Sequence, residues 1–444
     1  MKNRSVFACQ ECGAQSAKWL GRCPECGAWN SMVEERPVPA AVAAGSAEKR
    51  YALASAAGPQ LYADIDTVVA ERLSTGIGEF DRVLGGGVVP GSLVLIGGEP
   101  GIGKSTLLLQ AAAHFARTIG PVLYCSGEES EHQIKSRGER LGVERAPLYI
   151  LAETCLERIL EEIARLRPSF LIVDSIQTVG VPEIAAAPGG VAQVRESAAR
   201  LVRMAKTTGV AVVLVGHVTK EGGLAGPKML EHMVDVVLYL EGDPDRGFRV
   251  LRSIKNRFGA THVSGMFDMR SEGLAEVDDP SKLFLDGWEA DVPGTVIYPA
   301  VEGRRSILVE VQALVSPTKQ AQPRRSIRGL DPTRVNQVLA VLDRHSSLEL
   351  HDKEVYVNVV GGWRIDEPGC DLPVALAVAS SYADRPLGRT AAWGEIGLAG
   401  EVRSIPLETR RIEELDRMGL ERRIAPLGGK QLRLREALAL AGID

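Results

Sequence analysis

Short, nearly continuous apolar runs alternate with helix-like stretches from about Ile65 to Asp278. Leu93-Val94-Leu95-Ile96, Val122-Leu123-Tyr124-Cys125, Phe170-Leu171-Ile172-Val173 and the run from Val210 to Val215 each have the length and composition of a strand buried on both faces. Between them lie segments such as Thr106-Leu107-Leu108-Leu109-Gln110-Ala111-Ala112, which read as helix. Apolar strands separated by helices predict an α/β fold with a parallel sheet covered on both sides. The pattern breaks from Pro37 to about Pro59, where Ala, Pro, Gly and Ser dominate without periodicity. That stretch reads as a linker, placed at 34–64.

Composition adds bounds. With 444 residues, 45% hydrophobic and 25% charged, the chain has the size of roughly two to four ordinary domains. No apolar run reaches the ~18 residues of a membrane span, so no membrane role is expected. Met1-Lys2-Asn3-Arg4 leads into cysteines and not into an apolar signal core, so a cytoplasmic protein is expected. Net charge is −5, which leaves any nucleic-acid contact to local basic patches.

Four of the seven cysteines fall within the first 26 residues. Cys9-x-x-Cys12 and Cys23-x-x-Cys26 form two knuckles, each followed by glycine. Four thiolates at this spacing suit Zn²⁺ in a small finger over residues 1–33, with a rubredoxin-like iron site or two disulfides as alternatives. A segment this short has no core of its own, so the metal would supply its folding energy. Cys125, Cys155 and Cys370 are scattered and read as core.

The sharpest chemistry is Gly98-Glu99-Pro100-Gly101-Ile102-Gly103-Lys104-Ser105, a G-x-x-x-x-G-K-[ST] loop between a strand and a helix that opens at Thr106. Its backbone N–H groups and the helix N-terminus would cradle ATP phosphates. Lys104 would reach the β- and γ-phosphates, and the Ser105 hydroxyl would ligate Mg²⁺. Asp174 closes the apolar run Phe170–Val173 and would hold the same metal. Ser126-Gly127-Glu128-Glu129 ends the next strand; Glu128 is the first candidate for the base that polarises water, and Glu129 the second. His217, after Val215-Gly216, would sense the γ-phosphate. Long Gly-rich loops at about 177–191 and 220–228 leave the same sheet edge and could face a nucleic-acid strand.

The preamble Leu73-Ser74-Thr75-Gly76-Ile77-Gly78-Glu79-Phe80-Asp81-Arg82-Val83-Leu84-Gly85-Gly86-Gly87 resembles RecA-like cores. With the four-cysteine finger and Lys255-Asn256-Arg257-Phe258-Gly259, the whole chain resembles the bacterial RadA (Sms) family. The resemblance implies a RecA-like ATPase domain over 65–280 and a DNA-stimulated ATPase of recombinational repair. It further implies a hexameric ring that binds single-stranded DNA, drives branch migration of recombination intermediates and works with the RecA recombinase. Lys255 and Arg257, after the strand Phe248–Arg252, would then supply cations to a neighbour's γ-phosphate. A KaiC-like signalling ATPase and an ATP-dependent protease are the alternative readings.

From about Leu285 the chain resembles the proteolytic domain of Lon proteases, which implies an α+β domain over 285–444. Ser306–Val311, Val355–Val359, the helix Val374–Ala379 and Gly394–Val402 carry that resemblance, and Asp331-Pro332 marks a helix start. Where Lon proteases carry their serine this chain has Pro373, and the lysine position falls near Thr409, followed by Arg410 and Arg411. A non-proteolytic tail is therefore expected. Its basic stretch, Lys319, Arg324, Arg325, Arg328 and Arg334, and a later group at Arg403, Arg410, Arg411, Arg422, Arg423, Lys430, Arg433 and Arg435, suggest a phosphate-tracking surface.

Overall fold

The computed structural model describes residues 6–9, 15–25, 27–35, 61, 71–143, 147–184, 186–216, 229–242, 248–261, 263–303, 305–320 and 322–443. Cys12, Cys26, His217, the loop at 220–228 and almost all of the linker therefore lie outside the described residues. The chain divides into two compact units, Met1–Val277 and Asp278–Asp444.

In the first unit, β1 (Val6–Cys9), β2 (Gln15–Ser16) and β3 (Met32–Glu35) form a small sheet in the order β2-β1-β3. Cys9, Cys23 and Met32 pack together as its buried centre. Then come α1 (Gly78–Leu84), β4 (Leu93–Gly98), α2 (Lys104–Thr118), β5 (Val122–Ser126), α3 (Glu131–Arg140) and β6 (Leu148–Ala152). They are followed by α4 (Leu156–Leu166), β7 (Phe170–Asp174), α5 (Val191–Thr208), β8 (Ala211–Val215), α6 (Met229–Met233) and β9 (Val236–Glu241). The unit closes with β10 (Phe248–Asn256), β11 (Ser264–Arg270) and β12 (Gly273–Glu276).

These strands make one nine-stranded sheet in the order β12-β11-β10-β9-β4-β8-β7-β5-β6. From β9 to β6 every pairing is parallel, whereas β10, β11 and β12 run antiparallel. The parallel part has β4, β5, β7 and β8 buried throughout, as their apolar runs require. Alternate strand residues feed two cores. Val94, Ile96, Val122, Tyr124 and Ile172 pack with α2, while Leu93, Leu95, Leu123, Leu171 and Val173 pack with α4 and α5. Beside the expected parallel strands the sheet carries an antiparallel extension. β10 also runs on through Asn256, past the expected end at Arg252, with an irregularity between Ser253 and Lys255.

The second unit contains α7 (Pro280–Phe284), β13 (Thr295–Glu302), β14 (Arg305–Pro317), β15 (Arg325–Arg328), α8 (Pro332–His345) and β16 (Lys353–Val359). It continues through α9 (Asp371–Ala383), β17 (Thr390–Ala392), β18 (Glu395–Ile396), β19 (Glu401–Arg403), α10 (Glu408–Arg417), β20 (Arg422–Ile424), β21 (Leu432–Arg433) and α11 (Leu434–Ala441). A six-stranded mixed sheet, β15-β16-β14-β13-β17-β20, is joined by a smaller one, β18-β19-β21. Asp331 caps α8, its carboxylate accepting from Arg334 N, and Pro332 takes the first helical position. α9 is buried from Asp371 to Ser380, so its apolar sequence reflects burial on all sides.

Candidate active site

The loop from Gly98 to Gly103 joins the C-terminal end of β4 to α2, and its backbone needs glycine. Gly98, Gly101 and Gly103 have φ of 153°, 77° and 116°. A Cβ on Gly98 would stand 2.4 Å from Leu240 O, and one on Gly103 2.6 Å from Met269 Cε. Gly101, by contrast, faces open space, and Glu99 and Pro100 beside it are exposed. The loop is thus pinned from below and open above, the shape a phosphate group fits.

Lys104 opens α2 and is only 4% exposed. Its Nζ donates to Gly98 O at 2.8 Å and Glu99 O at 2.9 Å, the carbonyls of its own loop. Burial holds its pKa below the ordinary lysine value, while the charges of Asp174 and Glu128 pull it back up. Ser105 and Thr106 follow on the helix, half-buried. Ile102 is buried beneath the loop, and its carbonyl accepts from Arg249 Nε at 3.1 Å.

Asp174 ends β7 and is buried. Its Oδ2 accepts from the Tyr124 hydroxyl at 2.6 Å, and Ser105 stands at the start of α2. A buried carboxylate and a hydroxyl on adjacent elements form a hard oxygen donor set, which fits Mg²⁺. Glu128 lies just beyond β5, exposed, and its Oε1 accepts from Ser175 Oγ at 2.6 Å. Glu129 instead makes an ion pair with Arg137 of α3. Gly127, just before them, permits close approach, since a Cβ there would stand 2.0 Å from Thr178 Oγ1. Lys104, Ser105, Asp174 and Glu128 therefore meet at the C-terminal ends of β4, β5 and β7, where open α/β sheets bind ligands.

Lys255 and Arg257 are elsewhere. Asn256 pairs with Val236, which pairs with Val94, so the motif sits four residues, or about 13 Å, back along β4 from Gly98. Lys255 Nζ donates to Glu231 O and Val234 O, and Arg257 contacts Asp235 at 3.3 Å. Asp235 is buried and also accepts from Leu93 N and Lys206 Nζ. Asn256 Nδ2 donates to Leu84 O, locking the run to α1. Arg257 remains half-exposed. The described structure does not bring these cations to the P-loop of the same chain.

In the ribbon, Cys9 and Cys23 are buried together and Cys9 Sγ donates to Ser31 Oγ at 3.2 Å. Two thiols packed into one small core fit a thiolate metal site whose other members, Cys12 and Cys26, lie outside the described residues. Burial pushes the Cys125 thiol up to about 12 and that of Cys370 well above its ordinary value, consistent with core positions. Cys155 departs from that reading; it is half-buried at the start of α4, where Sγ donates to Glu157 Oε2 at 3.4 Å.

In the second unit Pro373 is buried in the first turn of α9, and Thr409 is exposed on α10. The side chain that fills the region is Arg411, 1% exposed. It donates to Pro299 O, to the Tyr298 hydroxyl at 3.2 Å, to Pro406 O at 3.4 Å and to Glu367 at 2.6 Å. Most of the expected basic surface is likewise consumed. Arg325 donates to Lys353 O and Leu350 O, and Arg334 forks onto Asp371 and reaches Glu395. Arg403 pairs with Glu401 and Arg423 with Asp416, while Arg422, Arg433 and Arg435 donate to backbone carbonyls. Lys319, Arg324, Arg328 and Lys430 stay exposed, which narrows the surface that can meet phosphate.

Two residues were missed in the sequence. Arg249, 4% exposed, supports the P-loop from β10, and Gln193, 4% exposed, holds the loop after β7 through Val181, Ile184 and Ala186. Neither carries a motif; only a polar side chain inside an otherwise apolar face signals them.

Residues 7–34 match the rubredoxin metal binding domain family, and residues 61–223 match the AAA domain family. The chain is 49% identical over 426 residues to DNA repair protein RadA of Bacillus subtilis, covering 96% of this chain and 93% of that protein. It is 48% identical over 428 residues to DNA repair protein RadA of Pseudomonas aeruginosa, covering 96% and 94%. A crystal structure of the RadB recombinase aligns over 46% of this chain and all of that one, with 23% identity and a TM-score of 0.39. The first unit therefore holds an α/β AAA-type ATPase domain that follows a metal-binding ribbon in the chain. Among the described residues no helix is long and apolar enough to cross a membrane.

Proposed function

Since the chain belongs to the RadA family of DNA repair proteins, we propose that it is a DNA-stimulated ATPase that works as a hexameric motor on single-stranded DNA and recombination intermediates, promoting branch migration together with RecA in the cytoplasm. The observation that carries this reading is the convergence of Lys104, Asp174 and Glu128 at one sheet edge. The loop Gly98, Glu99, Pro100, Gly101, Ile102, Gly103 and Thr106 wraps the nucleotide, and Lys104 exchanges its two carbonyl partners for the β- and γ-phosphates. Ser105 and Asp174 hold Mg²⁺, which supplies charge neutralisation on the phosphates. Glu128 takes the proton of the attacking water, since Glu129 is engaged by Arg137. His217 is kept as the γ-phosphate sensor on its sequence position alone.

Lys255 and Arg257 lie too far from their own P-loop to serve it, which favours action on a neighbouring subunit's ATP. Mixing Lys255→Ala with Lys104→Ala subunits should then restore some turnover; mixed rings without recovery would exclude it. Cys9, Cys12, Cys23 and Cys26 bind one zinc ion per chain, and metal analysis returning iron or no metal would overturn that. The working division is a finger at 1–33, a linker at 34–64, the ATPase domain at 65–280 and a non-proteolytic Lon-like domain at 285–444. The deciding experiment is ATP turnover with and without single-stranded DNA, beside particle images. Turnover indifferent to DNA would favour a KaiC-like signalling ATPase, and rings of another order would remove the hexamer.

A further inference from the structure

The run Val122-Leu123-Tyr124-Cys125 of β5 carries one hydroxyl, that of Tyr124, and the whole residue is 0% exposed. Its ring lies in the core shared with Leu107, Leu108, Phe115 and Ile172. A buried phenol must find a hydrogen-bond partner. This one donates to Asp174 Oδ2 at 2.6 Å. Asp174 Oδ1 has no hydrogen bond among the described residues. From these contacts we infer that Tyr124 is a positioning residue of the magnesium site, holding the Asp174 carboxylate by one oxygen so that the other faces the cation. The inference rests on the assignment of Ser105 and Asp174 as magnesium ligands.

The direction of the hydrogen bond decides the role. A phenol has one proton, and here it is given to Asp174, whose ionised carboxylate can only accept it. A hard cation needs a carboxylate oxygen whose lone pairs are not already taken. Asp174 is held by Oδ2, which leaves Oδ1 for the cation side. Groups that orient ligands in this way tune metal affinity by about 10–100-fold. A tyrosine that only filled the core would do so with its ring, and removing the hydroxyl would not touch the metal.

Tyr124→Phe keeps the ring and deletes the hydroxyl. Binding of a fluorescent ADP analogue to the full chain is titrated with Mg²⁺ and repeated in EDTA, with melting followed by circular dichroism. The Mg²⁺ concentration for half-maximal binding should rise about 10-fold or more, with affinity in EDTA unchanged and excess Mg²⁺ restoring full binding. An unchanged Mg²⁺ midpoint overturns the inference, and so does a loss of affinity that is equal with and without Mg²⁺. Ser105→Ala and Asp174→Ala are run alongside. If these also leave the Mg²⁺ midpoint in place, the ligand assignment itself fails; if they move it and Tyr124→Phe does not, only the positioning role fails. Tyr124→Met, which fills the same core without a hydroxyl, repeats the test should Tyr124→Phe lose its melting transition.

Discussion

Lys104 and Arg411 are both buried cations at the start of a helix, and they could hardly be held more differently. Lys104 is 4% exposed, and its ammonium rests on two neutral carbonyls of a loop whose upper side is open. Asp174 and Glu128 act on it through space. Arg411 is 1% exposed, and a carboxylate, a phenol and two carbonyls take its donors. An anion arriving at Lys104 gains a charge-assisted contact and loses only neutral ones. An anion arriving at Arg411 would have to displace Glu367 from a desolvated pair. Availability, not burial or charge, separates a site from a staple.

The comparison breaks first at Lys104. Lys104→Ala should lower ATP turnover by at least about 10²–10³-fold, the scale seen when one preorganised donor to transition-state charge is lost. Its side chain serves no partner outside the loop, so the melting temperature should change little. A folded variant that still turns over ATP would remove Lys104 from the chemistry; a collapsed melting transition would make it a staple like Arg411.

Arg411→Leu tests the other half. It strands Glu367, Tyr298 and the Pro299 carbonyl, and breaking a buried pair from one side costs about 3–5 kcal/mol. Glu367 is 29% exposed, so the lower end is expected, near 3 kcal/mol. The transition of residues 278–444 should fall by roughly 10 °C in calorimetry, with DNA-free ATP turnover unchanged. A shift under about 2 °C would mean that the pair is not what holds this region.

The same contrast divides the surface arginines. Arg324 leads directly into β15, where successive side chains alternate and Arg328 lies on the opposite face from Arg325. Arg324 and Arg328 are exposed, while Arg325 caps carbonyls of the neighbouring turn and strand. Replacing Arg324 and Arg328 by alanine should weaken single-stranded DNA binding about tenfold near 0.15 M salt and lower the salt slope by about 1.4. Arg325→Ala should instead cost stability and leave the slope alone. A slope as steep as the parent's after the double substitution would leave the tail without phosphate contacts there.

What the sequence made legible follows the same division. The P-loop, the strand that ends in Asp174 and the parallel order of the core were readable because each is a local pattern: a glycine spacing, an apolar run, a capped helix. Where a cation's partners are distant in the chain, nothing local marks it. Arg411 meets Tyr298 and Pro299 more than a hundred residues away, and Arg334 meets Asp371 across 37. Both read as surface charge until folded. Arg249, the antiparallel direction of β10 and the strands β11 and β12 were missed for a related reason. Alternation in a sequence tells which side chains share a face, not which strand lies beside them. Tyr124 read as core filler, which its ring is; only the register of β5 against β7, with Ser126 opposite Asp174, brings its hydroxyl to the carboxylate.

The smallest expected effect compares Arg411–Glu367 with a more open pair in the same unit. Asp279 caps α7, accepting from Lys282 N, and takes a bidentate contact from Arg417 at 2.7 and 2.8 Å. Hydrogen bonds from Arg417, with the Lys282 amide and the nearby positive charges adding to them, hold its carboxyl down at about 2. A depressed pKa means that the unfolded chain binds the proton first as pH falls. Its contribution is therefore complete above the unfolded value near 4, falls to roughly half by pH 3 and is lost as pH passes through about 2. Arg417 is 46% exposed, so solvent screening leaves on the order of 1 kcal/mol or less. Asp279→Asn keeps a capping acceptor and removes the charge. The melting difference between parent and variant should be about 2–4 °C near pH 6 and should shrink steadily toward pH 3. A difference that stays constant from pH 6 to pH 3 would mean that the Asp279 charge does not stabilise the folded state, and the contrast between this open pair and the buried Arg411 would have to rest on geometry alone.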